Sequence, residues 1–378
     1  GYTSFYMDPL EQKIIDRIKE QGPITFEAFM DMALYYPGLG YYTSKKTSIG
    51  REGDFYTSSH LHLMFGAMLG KQLEEMWDAM GRPSDFHAVE IGAGAGWLCK
   101  DIQGYLRGRD IFDSLNYTIV ELDPVMADKQ KVLLADLAEK VKWISSLSEL
   151  KDIRGCIFSN ELLDAFPVHM VEMDKQLKEI YVSLEGGKLI EQLQVVTNSN
   201  MPDYFKLFSV NIPDGYRTEI NLRIRDWLRQ AGAVLSEGFI LTIDYGYTAK
   251  EYYDEERSKG TLLCYHRHEV NEEPFQNIGQ QDITAHVNFS SLKLWGEDTG
   301  MQTLGYCPQG TYLVALGIDE AITELYGNSP DYEDEVRKIK GLIFPQGMGE
   351  SHQVMIQYKG DGKPELRGFS MRNQAGNL

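Results

Sequence analysis

The chain has 378 residues, more than one compact domain usually holds, so two lobes or one core with a large insertion are expected. Its 37 basic and 56 acidic residues leave a net charge of −19, and no local cluster of Lys and Arg offsets it, which argues against a phosphate-backbone partner. Hydrophobic residues make up 43%, ample for a packed core, yet no apolar run reaches the roughly eighteen residues that cross a bilayer. The four cysteines, Cys99, Cys156, Cys264 and Cys307, are far apart and form no C-x-x-C pair. They read as free thiols of a reducing compartment, not as a disulfide framework or a zinc site.

From Pro9 to Tyr36 the apolar spacing is helical (Ile14, Ile15, Ile18, then Phe26, Phe29, Met30, Leu34), with Gly22-Pro23 between two short helices and Thr25 opening the second. A Gly- and Ser/Thr-rich loop is expected over 41–59 and a periodic helix over about 61–80. Within that helix Gly66 and Gly70 allow close packing against a neighbour. Short apolar runs at 86–91, 117–121, 140–144, 155–159 and 238–244 then alternate with helical segments, the pattern of a parallel sheet with right-handed crossovers. Between about 167 and 235 the alternation breaks down. Val168 to Val196 reads as antiparallel strands turning at Glu185-Gly186-Gly187-Lys188, and Arg217 to Ala231 reads as one amphipathic helix. The expected organisation is an N-terminal helical region (1–82), a core (83–166 and 236–378) and an inserted α+β lobe (167–235).

The most informative segment is Glu90-Ile91-Gly92-Ala93-Gly94-Ala95-Gly96, where a strand runs into glycines and a helix begins near Trp97. Glycines there let the backbone turn tightly and approach a ligand. Dehydrogenases share such loops, but here the spacing is G-x-G-x-G, with Trp97 where the third glycine of G-x-G-x-x-G would stand. Glu90, just before the loop, would repel a pyrophosphate and attract the ammonium of a methionine-derived cofactor, S-adenosylmethionine. The second strand ends at Glu121-Leu122, where a carboxylate can accept bonds from both ribose hydroxyls. Trp143 and Ile144 at the third strand's end suit either an adenine or the core.

The fourth strand ends in Asn160-Glu161-Leu162-Leu163-Asp164-Ala165-Phe166-Pro167. Residues just past a parallel strand's carboxyl end face the ligand crevice, so Asn160, Glu161 and Asp164 are candidates to act where a methyl group is transferred. Methyl transfer is an in-line displacement that needs the acceptor lone pair aimed at the methyl carbon. If the acceptor is a guanidinium, carboxylates can grip its fork.

Taken together these residues resemble the MidA-type methyltransferase family, whose mitochondrial members assist respiratory complex I assembly. The likeness runs through Tyr35-Tyr36-Pro37-Gly38-Leu39-Gly40-Tyr41-Tyr42, Gly53-Asp54-Phe55-Tyr56-Thr57, the glycine loop, and Asn160 to Pro167. It continues through Asp244-Tyr245-Gly246, Gly260-Thr261-Leu262, Asp282-Ile283-Thr284-Ala285-His286 and Gly347-Met348-Gly349-Glu350. Ser59-His60 and Asn288 depart from the family pattern. The resemblance implies a Rossmann-like class I methyltransferase, α/β with a mostly parallel sheet. Its S-adenosylmethionine would be held by Asp54, Thr57, Glu90, Gly92, Ala93, Gly94, Gly96, Glu121, Leu122, Asn160 and Glu161. It further implies an arginine of a partner protein, in a respiratory-complex subunit, as acceptor, with Asp244, Tyr245 and His286 on the substrate side.

His266, His268 and His286 lack the carboxylates of a metal site, so no metal is expected, and His286 reads as a loop-orienting residue. The start, Gly1 to Met7, lacks the blocks of a secretory signal, which sets a bacterial cytosol as the expected location, or the mitochondrial matrix for a eukaryotic chain. A protein substrate is expected, with no nucleic acid and no membrane insertion, and a homodimer is left open. Two other readings stay in play: a non-catalytic assembly factor that keeps the cofactor pocket, and, less favoured by the loop spacing, a nicotinamide dehydrogenase.

Overall fold

The computed structural model describes residues 7–44 and 62–378. These form two compact units, the larger drawn from 62–163, 225–248 and 288–378 and the smaller from 7–44, 164–224 and 249–287. The helix Leu63–Ala79, expected with the N-terminal region, belongs to the larger unit, and 249–287, expected with the core, belongs to the smaller. The loop expected at 41–59 lies outside the described residues beyond Ser44.

In the larger unit the sheet strands are β1 Phe86–Ile91, β2 Leu115–Val120, β3 Val141–Ile144, β4 Ile153–Asn160, β5 Leu235–Tyr247, β6 Gln302–Pro308 and β7 His352–Lys359. They follow the order β6-β7-β5-β4-β1-β2-β3. The first five run parallel to their neighbours, as the alternation predicts, whereas β7 lies antiparallel between β5 and β6. The apolar run Phe239 to Ile243 has no polar alternation beyond Thr242 because β5 is central and buried throughout that stretch. Phe65, Ile102, Tyr117, Phe158 and Phe239 join one core across sheet and helices. A Cβ on Gly66 would lie 2.4 Å from Asp101 Cβ, and one on Gly70 2.9 Å from Tyr105, so both glycines serve close packing of Leu63–Ala79 on Trp97–Leu106.

This topology decides where the chemistry sits. β1, β2, β4 and β5 all deliver their carboxyl ends to one edge, and antiparallel β7 begins at that same edge, with Tyr245 registered opposite His352.

In the smaller unit the helices Pro9–Gln21 and Phe26–Tyr35 share a core with an antiparallel sheet, built on Leu10, Phe26, Phe29, Met30, Ile180 and Val182. Thr25 Oγ1 accepts the Ala28 N–H at 3.1 Å, the helix start read from sequence. The strands His169–Asp174, Gln176–Glu185 and Lys188–Val195 form the expected meander, turning at Gly186-Gly187. One expectation is overturned. Arg217–Ile220 is a strand paired with His169–Glu172, and only Arg223–Val234 is helical. The helical spacing of Ile220, Ile224, Trp227 and Ala231 hid a strand whose Thr218, Glu219 and Ile220 are all buried by its partner; Asn221 Oδ1 then accepts the Ile224 N–H at 3.3 Å as the helix begins. His266 ends the strand Leu263–His266 and His268 lies in a left-handed turn (φ 68°), so the two are not on one extended segment.

A partly buried charge cluster joins elements of this unit. His169 lies 2.6 Å from Glu179 and 2.7 Å from Glu27, which Arg223 also bridges at 3.0 Å. Burial disfavours the imidazolium, but the hydrogen bonds to Glu179 and Glu27 outweigh it and push His169 up to about 9. A pKa raised above its unfolded value of 6.5 gives stability that is complete below 6.5 and lost as pH climbs through about 9. In thermal melts the gap between wild type and His169→Gln should therefore close between pH 7 and pH 10; a constant gap would refute the charged pair.

Candidate active site

The glycine loop leaves β1 with Gly92, Gly94 and Gly96 at φ 68°, 55° and 97°, conformations that side chains rarely adopt. A Cβ on Gly92 would stand 3.3 Å from Leu162, in the corner that follows β4, so the bare backbone leaves space where a ligand can approach. Ala93 is buried beneath the loop. The helix Trp97–Leu106 begins directly after it, as expected.

Glu90 is 4% exposed, and the Tyr117 hydroxyl from β2 donates to its Oε1 at 2.6 Å. Burial is the main cause that raises its pKa to about 7; the Tyr117 bond works the other way, and nearby Glu121 adds repulsion. A carboxylate so placed gains from any cation that comes within reach.

Glu121, one residue past β2, is held by a strut that sequence reasoning missed. Gln130, fully buried on the helix Pro124–Leu133, donates through Nε2 to Gly94 O and to Glu121 Oε1, both at 2.8 Å, and accepts from Trp143 Nε1 at 3.0 Å. One glutamine thus links the glycine loop, the acid at the strand tip and Trp143. Glu121 Oε2 accepts the Asp123 N–H at 3.3 Å, so each oxygen keeps a further lone pair for a diol. Burial first of all raises the Glu121 pKa. Leu122 is 80% exposed. These donors and acceptors fit S-adenosylmethionine: a buried carboxylate for its ammonium, bare backbone along its length and a tethered acid for its ribose.

Asn160 ends β4 opposite Ile243, and Glu161 follows in the left-handed region (φ 54°), with its N–H bonded to Ile243 O at 2.9 Å. A non-glycine residue held in that conformation at a strand end is strain that functional corners keep. Glu161 Oε1 lies 2.8 Å from Nε2 of His352, a fully buried side chain that sequence reasoning passed over. The Tyr245 ring packs on His352 with centroids 4.1 Å apart. Asp244, expected to line the crevice, is fully buried and accepts the N–H of Leu163 and of Tyr245 at 2.9 Å each.

The other expected residues lie in the smaller unit, where several sequence motifs meet. Asp164 is 5% exposed, and its carbonyl accepts the Ala285 N–H at 2.9 Å. Tyr35 donates to Ala165 O and Tyr42 to Asp282 Oδ1, both at 2.7 Å, with the two rings stacked at 5.4 Å. The His286 backbone N–H donates to Thr261 Oγ1 at 2.9 Å. Thr261 in turn bonds through its own N–H (2.9 Å) to Glu219, a buried acid that sequence reasoning also missed; Tyr252 adds a bond at 2.8 Å. Asp54 and Thr57 lie outside the described residues.

A glycine loop after the first strand, an acid at the tip of the second and a charged corner after the fourth, on a mostly parallel sheet, define a Rossmann-like nucleotide-cofactor enzyme. Residues 68–307 match the family model described as "Putative S-adenosyl-L-methionine-dependent methyltransferase", and the chain belongs to that family. It is similar to the human mitochondrial protein arginine methyltransferase NDUFAF7, 26% identical over 379 residues that cover 90% of this chain and 81% of the human protein. The Drosophila melanogaster mitochondrial homolog is 24% identical over 383 residues, 93% and 85% of the two chains. A crystal structure from Burkholderia thailandensis bound to S-adenosyl-homocysteine superposes with a TM-score of 0.89 at 28% identity, over 98% of this chain and 96% of that one.

Gln130→Leu should lower S-adenosylmethionine affinity about tenfold, the worth of one or two net hydrogen bonds. Calorimetric titration beside a melting curve checks this; unchanged affinity in the folded variant would remove the strut from the account.

Proposed function

We propose that this methyltransferase modifies an arginine of a partner protein, with Glu161 as the residue that grips the acceptor. The observation that carries the reading is Glu161 itself: a carboxylate in a strained corner at the carboxyl edge, fixed on one oxygen by His352. The names of the human and fly relatives, protein arginine methyltransferases, support the acceptor. S-adenosylmethionine supplies an electrophilic methyl group on a sulfonium. The chain's part is to hold and orient. Glu90 offers charge to the ammonium, the glycine backbone admits the cofactor, and Glu121, braced by Gln130, takes the ribose hydroxyls. Glu161 would orient a guanidinium fork so that one nitrogen faces the methyl carbon; the N–C bond would form as the sulfonium C–S bond breaks, leaving S-adenosylhomocysteine, with the nitrogen's proton passing to solvent. Asn160, at the end of β4, is proposed to act with Glu161, and Tyr245 to stand on the substrate side; Asp164 and His286, in the smaller unit, are carried forward as proposed catalytic and substrate-side residues.

The net charge of −19 supports a basic protein segment over nucleic acid as partner. Among the described residues no helix is long and apolar enough to cross a membrane. The relatives' names place them in mitochondria. A matrix location for a eukaryotic chain, a bacterial cytosol otherwise, a respiratory-complex subunit as substrate and a homodimer are carried forward as parts of the proposal.

Incubation with methyl-labelled S-adenosylmethionine and arginine-containing proteins from an unmethylated lysate, followed by mass spectrometry, tests the reaction. Label on arginine, abolished in Glu161→Gln, is the expected outcome; label confined to other residue types, with cofactor binding intact, would overturn the arginine reading. The pH dependence of cofactor binding tests Glu90. Below its pKa of about 7 the side chain is neutral and a poor partner for an ammonium, so affinity should rise between pH 6 and pH 7.5. Glu90→Gln should bind more weakly with a flat profile; a flat profile in wild type would place the ammonium elsewhere.

A further inference from the structure

The motif Gly347-Met348-Gly349-Glu350 is not used by the cofactor site, yet it ends two residues before His352. Its backbone is tightly seated. Met348 N–H donates to Gly341 O at 2.8 Å, Gly349 O accepts the Gly310 N–H at 2.9 Å, and His352 N–H returns to Met348 O at 3.2 Å. A Cβ on Gly349 would come within 1.7 Å of Ile343 O, and one on Gly347 within 2.2 Å of Gly341 O, so this turn tolerates only glycine at both places. What the turn delivers is a fully buried imidazole at the carboxyl edge, aimed by the β5–β7 register at the end of β5 and by its Nε2 at Glu161.

An ionised carboxylate only accepts hydrogen bonds, so toward such a partner Nε2 is the donor. Ser351 Oγ, 3.1 Å from Nδ1, occupies the other ring nitrogen, and the Tyr245 face at 4.1 Å closes one side of the ring. These contacts hold the imidazole toward Glu161. The reading that Glu161 grips the acceptor leaves open how a flexible three-bond side chain is held in one rotamer, and this contact answers it.

We propose that His352 is a positioning residue for methyl transfer, delivered by the Gly347–Glu350 turn, whose Nε2–H locks Glu161 Oε1 and leaves Oε2 to the acceptor guanidinium. The inference rests on the proposed role of Glu161. No proton leaves His352 in this scheme; it acts only by orientation.

The test uses the full chain and the arginine substrate found with labelled S-adenosylmethionine, comparing His352→Phe, His352→Gln and Glu161→Gln, alone and combined. His352→Phe fills the space without the donor and should lower kcat at least about tenfold, because the buried carboxylate loses its fixed partner. Cofactor Kd and the melting temperature should stay close to wild type, which separates positioning from loss of fold. His352→Gln, which keeps an N–H donor, should recover much of kcat. In the double variant the losses should not add, as expected for residues that act as one. Wild-type kcat in His352→Phe, or no difference between the Phe and Gln variants, would overturn the inference. Full activity in Glu161→Gln would instead overturn the reading beneath it, so the two failures are distinguishable.

Discussion

Parallel pairing of β1, β2, β4 and β5 obliges four chain exits to share one edge of the sheet, and the larger unit's chemistry follows from that constraint. Each exit contributes a different element: the glycine loop, Glu121, Glu161 and Tyr245. None is near another in sequence. The antiparallel insertion of β7 adds a fifth contributor, since only a strand running the opposite way can bring its first residue to an edge where its neighbours end.

That edge carries acids in a chain already rich in negative charge, and the structure manages each one by a specific partner. Tyr117 serves Glu90, Gln130 serves Glu121, His352 serves Glu161, and backbone N–H groups serve Asp244. A buried carboxylate without such a bond would simply take up a proton. Burial brings Glu90 to a pKa of about 7, so it gains from a cationic ligand. The partners leave at least one lone pair open on Glu90, Glu121 and Glu161, as a binding site requires.

In the smaller unit the motifs serve anchoring. Tyr35, Tyr42, Asp164, Ala165, Asp282 and Ala285 come from three stretches of chain and are joined by short hydrogen bonds. Buried Glu219 does the same for the Gly260-Thr261 turn: a Cβ on Gly260 would meet its carboxylate at 1.9 Å. The backbone carbonyl of Asp164 is part of this network.

Much was legible in the sequence where the signal is local. The five parallel strands, the hairpin at Gly186-Gly187, the Thr25 cap and the glycine loop are set by periodicity, turn residues and backbone freedom, all of which act between neighbours in the chain. The carboxylates at the strand ends followed once the sheet was read as parallel. The strand Arg217–Ile220 was not legible, because the helical spacing of the residues that follow ran back through Ile220, and the strand is defined by its pairing with His169–Glu172. Nor were Gln130, Glu219 and His352, whose side chains gain meaning only from partners 9 to 191 residues away. Sequence alone determined which residues could carry charge and where the chain must turn; the tertiary structure decided which of those charges are bound, because desolvation and hydrogen bonding depend on neighbours that only folding supplies.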